Sequence, residues 1–395
     1  MQTVVAEITK DRGLRILGLG VAPSSGVRKG VVVDLDEVTS SIRKSVEEAE
    51  RTAGVSIRSV WLGIGGMHIS VASSRGVVAV SRADGEISPE DEKRVIVAAE
   101  TFVSKNPNKE VLHIIPRDFK VDHQGGIKDP KGMHGVRLEV ETLVIECLAP
   151  FLKNLFKSVE HAGLKIEDYV FSPLAAAEAV LTKRQKELGT MVLDIGGGTA
   201  SFMVFEEGTP VHAGVIPIGG NHITNDVAIG FKTNIDVAEQ IKVAYGSCLP
   251  GDMPKRDTIR MAEFIPEEPS MFSRRELAEI VEARLCDIFE LVQKELKKIE
   301  RNELLPAGVI LTGGSTLLPG VIELAKRELK LPIEIGVPKL LLGLDEKTAP
   351  ALASALGILQ WGAGMGMSAN DPTWKYRVSS LGQNSWVKWL KSLLP

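Results

Sequence analysis

The chain has 395 residues, 44% of them hydrophobic and 25% charged, and a formal net charge of −4, which indicates a soluble globular protein with two or more compact units. The acidic balance argues against a nucleic-acid-binding protein, because neutralising phosphates requires a basic face. Cys147, Cys248 and Cys286 are far apart and the seven histidines lack metal-ligand spacing, so we expect neither a disulfide framework nor a zinc site.

Strand and helix patterns alternate from the first residues. The segments TVVAEI and RILGLGVAP predict two strands joined by a polar turn. DLDEVTSSIRKSVEEAERTAG then predicts a helix, because Val38, Ile42 and Val46 fall on one face and Gly54 follows its end. SVWLGIGG predicts the next buried strand.

Residues 76–163 are expected to form an inserted unit. Its patterns are a helix (SPEDEKRVIVAAETFV), two strands (EVLHIIPRDFKVD and VRLEVETLVIECL) separated by a Gly/Pro-rich loop, and a closing helix that ends at Gly163. The chain then returns to a strand and a helix in YVFSPLAAAEAVL. Residues 1–75 and 164–189 are therefore assigned to one unit.

A second α/β unit is expected at 190–233 and 302–361, interrupted by a mostly helical insertion at 234–301. The long helix of that insertion begins with a capping box from Ser273 to Glu276. An apolar stripe follows along the helix at Leu277, Val281, Leu285, Ile288, Val292, Leu296 and Ile299. Residues 362–383 lose all periodicity and are predicted to be a linker before the last segment, 384–395.

The segment DIGGGT, at 194–199, is the first candidate binding element. Three consecutive glycines, Gly196, Gly197 and Gly198, allow the backbone to approach a ligand with its N–H groups turned toward it. Asp194 ends a buried strand and would be costly to desolvate unpaired, a cost that a divalent cation would offset. Thr199 adds a hydroxyl donor. The alternative is a glycine-rich hairpin in which the acid caps the turn.

A second glycine turn, LTGGSTLLPG, also lies between an apolar strand and an apolar helix. Gly313 and Gly314 suit close approach of a flat ligand, and the following helix would present its positive end. Between the two turns, Glu239 and Lys242 lie on one helical face. They are either an ordinary surface ion pair or a carboxylate and a lysine that contact a sugar. The three elements together favour a nucleotide pocket.

The order of these motifs resembles the actin/Hsp70/sugar-kinase superfamily, and within it the FtsA family of bacterial cell-division proteins. The resemblance covers essentially the whole chain. The segments that carry it are HIIPRDFKVDHQGGIKDPKGMHGVRL, IPIGGNHITNDVA, LAEIVEARL, GVILTGGSTLLPGVIELA and the C-terminal tail.

The resemblance implies an α/β, actin-like two-domain fold with an FtsA-type inserted subdomain 1C and a C-terminal amphipathic helix. Subdomain 1A would then comprise 1–75 and 164–189, and subdomain 1C would comprise 76–163. Subdomain 2A would comprise 190–233 and 302–361, and subdomain 2B would comprise 234–301.

The resemblance also implies that ATP and Mg²⁺ are bound. Asp194 would reach the metal, and Asp194, Gly196, Gly197, Gly198 and Thr199 would form the second phosphate-binding loop. Glu239 and Lys242 would contact the ribose. Gly313, Gly314 and Ser315 would form the adenosine loop.

Arg274 and Arg284 fall where the second insertion of FtsA-like proteins engages the C-terminal peptide of FtsZ. Arginine forks suit an acidic peptide. Without the resemblance, both residues would be solvated helix charges.

One feature departs from the superfamily pattern. Actin-like folds begin with a strand and a D-x-G-[ST]-x-K hairpin that forms the first phosphate-binding loop, whereas this chain begins at MQTVVAEI, which matches the second strand of that hairpin. Either the coding start lies at an internal methionine, which we favour, or phosphate-side binding has been lost. The codons upstream of Met1 distinguish the two.

The function implied is an ATP-binding protein that polymerises and tethers FtsZ filaments to the cytoplasmic face of the cell membrane at the division septum, where it meets other divisome proteins. It would not be an enzyme; no catalytic residue is assigned, and any ATP hydrolysis would be slow. The alternatives are an ATP-dependent small-molecule kinase of the same superfamily and an FtsA-like adaptor of the type IV pilus machinery. Neither requires the C-terminal tail.

The tail, NSWVKWLKSLLP, has the composition of a helix that lies in a membrane interface. One face carries Trp386, Trp389, Leu390, Leu393 and Leu394, and Lys388 and Lys391 lie opposite. Burying five large apolar side chains contributes roughly 5–10 kcal/mol before ordering costs, which is enough for reversible anchoring on anionic lipid. The alternative is a helix docked on the protein itself. No apolar run is long enough to span a bilayer, and the N-terminus has no signal-peptide pattern.

We predict that Trp386→Glu or Leu390→Glu releases the protein from anionic liposomes, because either change places a charge on the apolar face of the tail. Co-sedimentation with liposomes measures the effect. Unchanged sedimentation of both variants would reject this anchor.

Overall fold

The computed structural model describes residues 1–9, 13–103, 108–254, 256–338, 341–342, 345 and 347–364. Most of the predicted linker and the whole predicted tail helix lie outside these residues, including Trp386, Lys388, Trp389, Leu390, Lys391, Leu393 and Leu394. Within the described part of the chain, no helix combines the length and apolarity needed to cross a bilayer.

The first elements include the predicted two strands, helix and strand, with a short hairpin that the sequence did not predict just before the helix. They are β1 (Gln2–Ile8), β2 (Leu14–Val21), β3 (Val27–Arg28), β4 (Val31–Val32), α1 (Leu35–Ala53) and β5 (Ser59–Ile64). Asp34 caps α1 by accepting hydrogen bonds from the N–H groups of Asp36 and Glu37, and Gly54 ends it in the left-handed region. The α1 face that carries Val38 and Ile42 is buried.

The next elements form a four-stranded antiparallel sheet covered by one helix, and then return to the first unit. They are β6 (Ile69–Ala79), α2 (Pro89–Val103), β7 (Lys109–Val121), β8 (Gln124–Ile127), β9 (Arg137–Leu148), α3 (Ala149–His161), β10 (Lys165–Phe171), α4 (Ser172–Val180) and α5 (Lys183–Leu188). The strand order in this sheet is β6-β9-β7-β8.

The remaining elements form the second unit. They are β11 (Thr190–Ile195), β12 (Ala200–Glu206), β13 (Thr209–Ile216), α6 (Gly220–Gly230), α7 (Ile235–Tyr245), β14 (Thr258–Arg260), β15 (Met271–Ser273), α8 (Arg274–Lys298), β16 (Val309–Thr312), α9 (Val321–Leu329), β17 (Ile333–Ile335), β18 (Leu341–Leu342) and α10 (Ala353–Gly362). Short 3-10 turns occur at Pro250–Asp252, Met261–Glu263, Gly314–Leu317 and Ala349–Leu352.

The second unit is built on a five-stranded sheet with the order β13-β12-β11-β16-β17. Its central strand, β11, is apolar on both faces because each face is covered by a separate hydrophobic cluster. Met191 and Leu193 belong to one cluster and Val192 to the other. The long helix α8 closes the first of these clusters. Its predicted apolar stripe is buried from Leu277 to Leu296, and the Ser273 hydroxyl accepts from the Glu276 N–H at 3.4 Å.

Sequence patterns missed several short or polar strands, and four of them show the physical reasons. The outer strand β6 contains three serines and a glycine, and pairs with β9 in an unbroken register from Ile69 to Ala79, so that the predicted boundary at residue 76 falls within a strand. The predicted glycine-rich loop contains β8, which folds back on β7 through Asp122 and His123, both with positive φ. The pair β14–β15 is only three residues long, too short for a periodic signal.

Candidate functional site

The two glycine turns meet at one edge of the second sheet. Strands β11 and β16 pair in parallel, with Asp194 opposite Thr312. Because parallel strands end at the same edge, the turns that follow them lie side by side. The sequence places these turns more than a hundred residues apart, and the sheet register brings them together.

The first turn is held by its own hydrogen bonds and by the start of α6. The Gly196 N–H donates to the Thr199 carbonyl at 3.0 Å, and the Gly220 and Asn221 N–H groups donate to the Gly196 and Gly197 carbonyls at 2.9 and 2.8 Å. Within the described chain, the backbone N–H groups of Gly197 and Gly198 donate to no other group. The turn therefore offers two adjacent free donors, which is the arrangement that binds anions.

The glycines of these turns are required for different reasons. A Cβ on Gly219 would lie 2.5 Å from the Gly196 carbonyl oxygen. A larger residue at position 219 would therefore prevent the start of α6 from packing against the first glycine turn. Gly313 has φ 91°, and a Cβ there would lie 2.5 Å from the Ile195 carbonyl oxygen. Gly313 therefore allows packing within the protein, whereas a Cβ on Gly314 would meet nothing within 4 Å. In the second glycine turn, open space for a ligand therefore lies beside Gly314 and not beside Gly313.

Glu239 and Lys242 form a polar cluster with α6. The Lys242 ammonium donates to the Glu239 carboxylate at 2.5 Å, to the Thr224 hydroxyl at 2.9 Å and to the Gly220 carbonyl at 3.4 Å. The Thr224 hydroxyl also donates to Glu239 Oε2. The Lys242 side chain is 11% exposed and that of Glu239 is 47% exposed. The lysine thus positions the carboxylate, whose Oε1 has no hydrogen-bond partner in the described residues and can accept from a ligand hydroxyl.

A cavity of about 230 Å³ lies between these elements. Six predicted residues line it: Gly196, Gly197, Glu239, Lys242, Gly314 and Ser315. Sequence reasoning missed the other lining residues: Gly220, Asn221, Ile223, Val243, Leu317, Leu318 and Pro319. Gly220, Asn221 and Ile223 lie in the motif IPIGGNHIT, and Leu317, Leu318 and Pro319 follow the second glycine turn directly. Both segments were singled out by the resemblance, without a role for these side chains.

The remaining predicted residues, Asp194, Gly198, Thr199 and Gly313, do not line this cavity. A Cβ on Gly198 would lie 3.6 Å from the backbone nitrogen of Lys29, in the β3–β4 hairpin. The first glycine turn is therefore located between the cavity on one side and the first unit on the other.

Asp194 is half-buried at the end of β11, and its Oδ2 accepts a hydrogen bond from the Ser354 hydroxyl at 2.5 Å. Desolvation raises the pKa of the Asp194 carboxyl, and the bond from Ser354 opposes that shift. Thr312, its partner in the strand register, has a buried hydroxyl without a hydrogen-bond partner among the described residues. A cation or an ordered water at this edge would stabilise the Asp194 carboxylate and give the Thr312 hydroxyl a partner.

The helix predicted to follow LTGGSTLLPG is α9, but a 3-10 turn separates its start from the two glycines. Gly314–Leu317 forms a 3-10 turn, and α9 begins only at Val321. Because a helix dipole acts within its first turn, α9 does not direct its positive end at Gly314. The free N–H groups at Gly197 and Gly198 and the Lys242 ammonium are thus the positive features of the site.

A magnesium site would rest on a single carboxylate. The described residues contain no group of three His, Cys, Asp or Glu side chains that could hold a metal ion. Magnesium is often bound through one or two carboxylates, with water and phosphate oxygens completing its octahedron. Asp194, with the unpartnered Thr312 hydroxyl beside it, fits this mode of binding. It does not fit a site in which protein side chains supply all the ligands.

Arg274 and Arg284 both lie on α8 and both have internal carboxylate partners. Arg274 Nη1 lies 3.2 Å from Asp257 Oδ2, and Arg284 contacts Asp226 at 2.7 Å and Asp287 at 2.8 Å. The Asp226 carboxylate raises the pKa of Arg284. Positions 274 and 284 are separated by about 15 Å along the axis of α8. One extended acidic peptide could therefore contact both guanidinium groups by displacing their internal carboxylate partners.

Comparison with known proteins adds family evidence to this geometry. The model of the family "Cell division protein FtsA" matches residues 191–357, and that of the "SHS2 domain inserted in FTSA" matches residues 66–146. The chain is 38% identical to Cell division protein FtsA of Pseudomonas aeruginosa over 94% of its own length and 90% of that protein. It is also 38% identical to Cell division protein FtsA of Bacillus subtilis, over 91% of this chain and 80% of that protein.

A solved structure shows a similar fold at low sequence identity. The PilM-PilN type IV pilus biogenesis complex contains a chain with a TM-score of 0.64 and 17% identity, covering 92% of this chain and 95% of that one. The expected α/β, actin-like fold with an inserted domain is confirmed by this likeness and by the SHS2 match.

We predict that Asp194→Asn raises the thermal midpoint by a few degrees at pH 7 without nucleotide or Mg²⁺. A carboxyl with a raised pKa binds its proton more tightly in the folded chain, so it destabilises the fold at pH values above that pKa. This cost disappears as the pH falls below the ordinary value of 3.8. The asparagine keeps an acceptor for Ser354 without the charge. Differential scanning calorimetry between pH 4 and pH 8 measures the difference, and exposed Asp252→Asn is the control. A lower midpoint for Asp194→Asn at pH 7 would contradict this prediction.

Proposed function

The chain belongs to the FtsA family of cell-division proteins, and from this premise we propose that it is an actin-like ATP-binding protein of the division apparatus. The observation that supports ATP binding is the convergence of both glycine turns and the Glu239–Lys242 pair on one cavity. A nucleotide needs an anion site, a hydroxyl acceptor and an apolar surface for its base, and the cavity offers each of them.

Each part of the nucleotide has a suitable group in the cavity or in the first glycine turn beside it. The free N–H groups of Gly197 and Gly198 would bind phosphate oxygens. The exposed oxygen of Glu239 would accept from the ribose hydroxyls, with Lys242 keeping it in place. The open surface at Gly314 and the apolar wall of Leu317 and Leu318 would contact the flat base.

Magnesium would supply positive charge beside the phosphates, and Asp194, at the end of β11, would hold it. Ser354 would keep that carboxylate oriented through the hydrogen bond to Oδ2. Thr312 would contribute a hydroxyl to the same polar edge.

The cavity has groups that would bind a nucleotide but few that could catalyse its reaction. Nucleotide binding would therefore support filament assembly. Among the described residues that line the cavity, Glu239 and Lys242 are the only ionisable side chains, and they are paired with each other. A small-molecule kinase would need a further carboxylate or similar group to activate its substrate hydroxyl. We therefore assign no catalytic residue, and expect ATP hydrolysis to be slow.

In the cell, the protein would form filaments and tether FtsZ to the cytoplasmic face of the membrane at the septum. Arg274 and Arg284 would bind the acidic C-terminal peptide of FtsZ, and the tail at 384–395 would bind anionic lipid. Many weak tails on one filament would hold the membrane far more strongly than a single tail. Other divisome proteins would bind the inserted unit.

We predict that Glu239→Ala weakens ATP binding about 10- to 100-fold, because it removes charge-assisted hydrogen bonds to the ribose. Titration calorimetry with ATP and Mg²⁺ measures the affinity. The matched control is Glu290→Ala, which removes a carboxylate from an exposed ion pair with Lys294 on α8. Equal affinities for the two variants would contradict the proposed site, and no ATP binding by the unmodified chain would reject the proposed function.

We predict that Arg274→Ala and Arg284→Ala each weaken binding of the FtsZ C-terminal peptide about tenfold, and that added salt reduces the remaining affinity. Fluorescence anisotropy with a labelled peptide measures both effects. Arg275→Ala is the matched control, because Arg275 is adjacent in sequence and pairs with Glu279 on the exposed face of α8. A loss in Arg275→Ala equal to that in the other two would mean that the peptide responds only to the general charge of α8.

A further inference from the structure

Another cavity lies between the sheet of the inserted unit and the second unit. It has a volume of about 200 Å³ and is lined by β6, β7 and β9 on one side. The other side is formed by β12, β13 and the segment that follows α8. Its described lining residues do not overlap with those of the candidate nucleotide cavity. A water molecule occupies about 30 Å³ in the liquid, so this space admits a small ion together with some water.

Arg117 lines this cavity from a β-bulge. The register of β7 against β9 shifts between Pro116 and Asp118. Arg117, between them, therefore has no opposite residue on β9. A bulge changes the direction of a side chain relative to its strand, and bulges are common beside functional sites. The Arg117 side chain is 26% exposed, so a ligand can reach it from solvent.

The guanidinium of Arg117 has unused hydrogen-bonding capacity. Its Nε is buried and donates to no group in the described part of the chain. In its ion pair with Glu141, Nη1 lies 3.9 Å from Oε1, which is beyond hydrogen-bond distance. The Glu141 side chain is 44% exposed, so water screens this attraction. Because an unpaired buried donor on a charged group is costly, an acceptor in the cavity would stabilise Arg117.

Arg301 supplies a second guanidinium from the opposite wall. Its Nε donates to Glu206, and its Nη1 donates to the Glu300 carbonyl at 3.1 Å. Its Nη2 has no partner among the residues that the structure describes. Glu206 is the only carboxylate among the described lining residues, and Arg301 neutralises it. The cavity therefore offers donors from both walls and no unpaired carboxylate.

His212, on β13, is neutral at pH 7. Desolvation lowers the pKa of its imidazole, and the charge of Arg117 adds to that shift, whereas Glu295 opposes it. The imidazole Nε2 lies 3.1 Å from Glu295, which also pairs with Lys298 at 2.6 Å. Because Glu206 and Glu295 both have cationic or histidine partners, the charge of Arg117 is the one that lacks a close counterion at this cavity.

We propose that this cavity binds a small oxyanion with the chemistry of phosphate, either free or as the phosphate group of a small monoester. Arg117 of the inserted unit and Arg301 of the second unit would donate to it together, and the Ser73 hydroxyl in the cavity wall would add a neutral donor. Arginine suits phosphate because its planar fork donates two parallel hydrogen bonds. The bound ion would hold the inserted unit against the second unit. This site shares no residue with the proposed nucleotide site and does not depend on it.

The test is hydrogen–deuterium exchange on the full chain with millimolar inorganic phosphate, compared with chloride at equal ionic strength. Amides of 71–73 and 299–301 are expected to exchange several-fold more slowly with phosphate, because a bound ion restrains local opening. Amides of 196–199 report phosphate binding at the first glycine turn. Glycerol phosphate is the second probe. Stronger protection by glycerol phosphate supports the proposal and identifies a monoester as the ligand, and equal protection supports it with free phosphate as the ligand.

Arg117→Gln is expected to weaken phosphate binding about tenfold or more, because it removes the charge and the fork but keeps a long polar side chain. Ser73→Asp is the second variant, since it places a negative charge on the exposed part of the cavity wall. The matched control is Arg82→Gln, because Arg82 is an exposed arginine of the inserted unit that pairs with Asp84 and Glu86.

Protection of 71–73 and 299–301 that is weakened in Arg117→Gln and Ser73→Asp but kept in Arg82→Gln supports the proposal. No protection of the unmodified chain, or protection of 196–199 alone, would overturn it. Unchanged protection in folded Arg117→Gln and Ser73→Asp variants would also overturn it, as would an equal loss in Arg82→Gln.

Discussion

The parallel pairing of β11 with β16 is the interaction on which the candidate site depends. It places Asp194 opposite Thr312 and brings two glycine turns to one sheet edge. The pairing is stable because β11 is buried on both faces, between the cluster closed by α8 and the cluster that includes α4. A one-residue shift would exchange the faces of Val192 and Leu193 and move Asp194 away from Thr312. The site geometry is thus determined by the packing of the core.

Around this edge, most polar groups are satisfied within the protein and a few have no partner among the described residues. Gly219 and Gly313 allow backbone segments to touch, and the carbonyls of Gly196 and Gly197 accept from the start of α6. Among the described residues, the groups without a partner are the N–H groups of Gly197 and Gly198, the Thr312 hydroxyl and Oε1 of Glu239. The N–H donors lie at the first glycine turn, and the carboxylate acceptor lies on α7. This arrangement suits a ligand with an anionic group at one end and hydroxyl groups in its middle.

Much of this arrangement could be predicted from the sequence, because the elements concerned are strongly periodic or carry glycine motifs. The strands β11 and β16, the stripe on α8 and the Glu239–Lys242 pair are local patterns. Ser354 could not be found this way, since it lies 160 residues from the carboxylate it contacts. The different roles of Gly313 and Gly314 depend on the φ angle and on the neighbouring backbone atoms. The spacing of residues in the sequence reveals neither. Strand β6 is defined by its pairing with β9, and its serines conceal it.

The most direct test of the central claim, that both glycine turns belong to one nucleotide site, is hydrogen–deuterium exchange with and without ATP and Mg²⁺. Amides in the two segments 196–199 and 313–318 are expected to become protected at the same nucleotide concentration, because one ligand would contact both. Protection of only one segment, or protection of the two at different concentrations, would contradict a shared site.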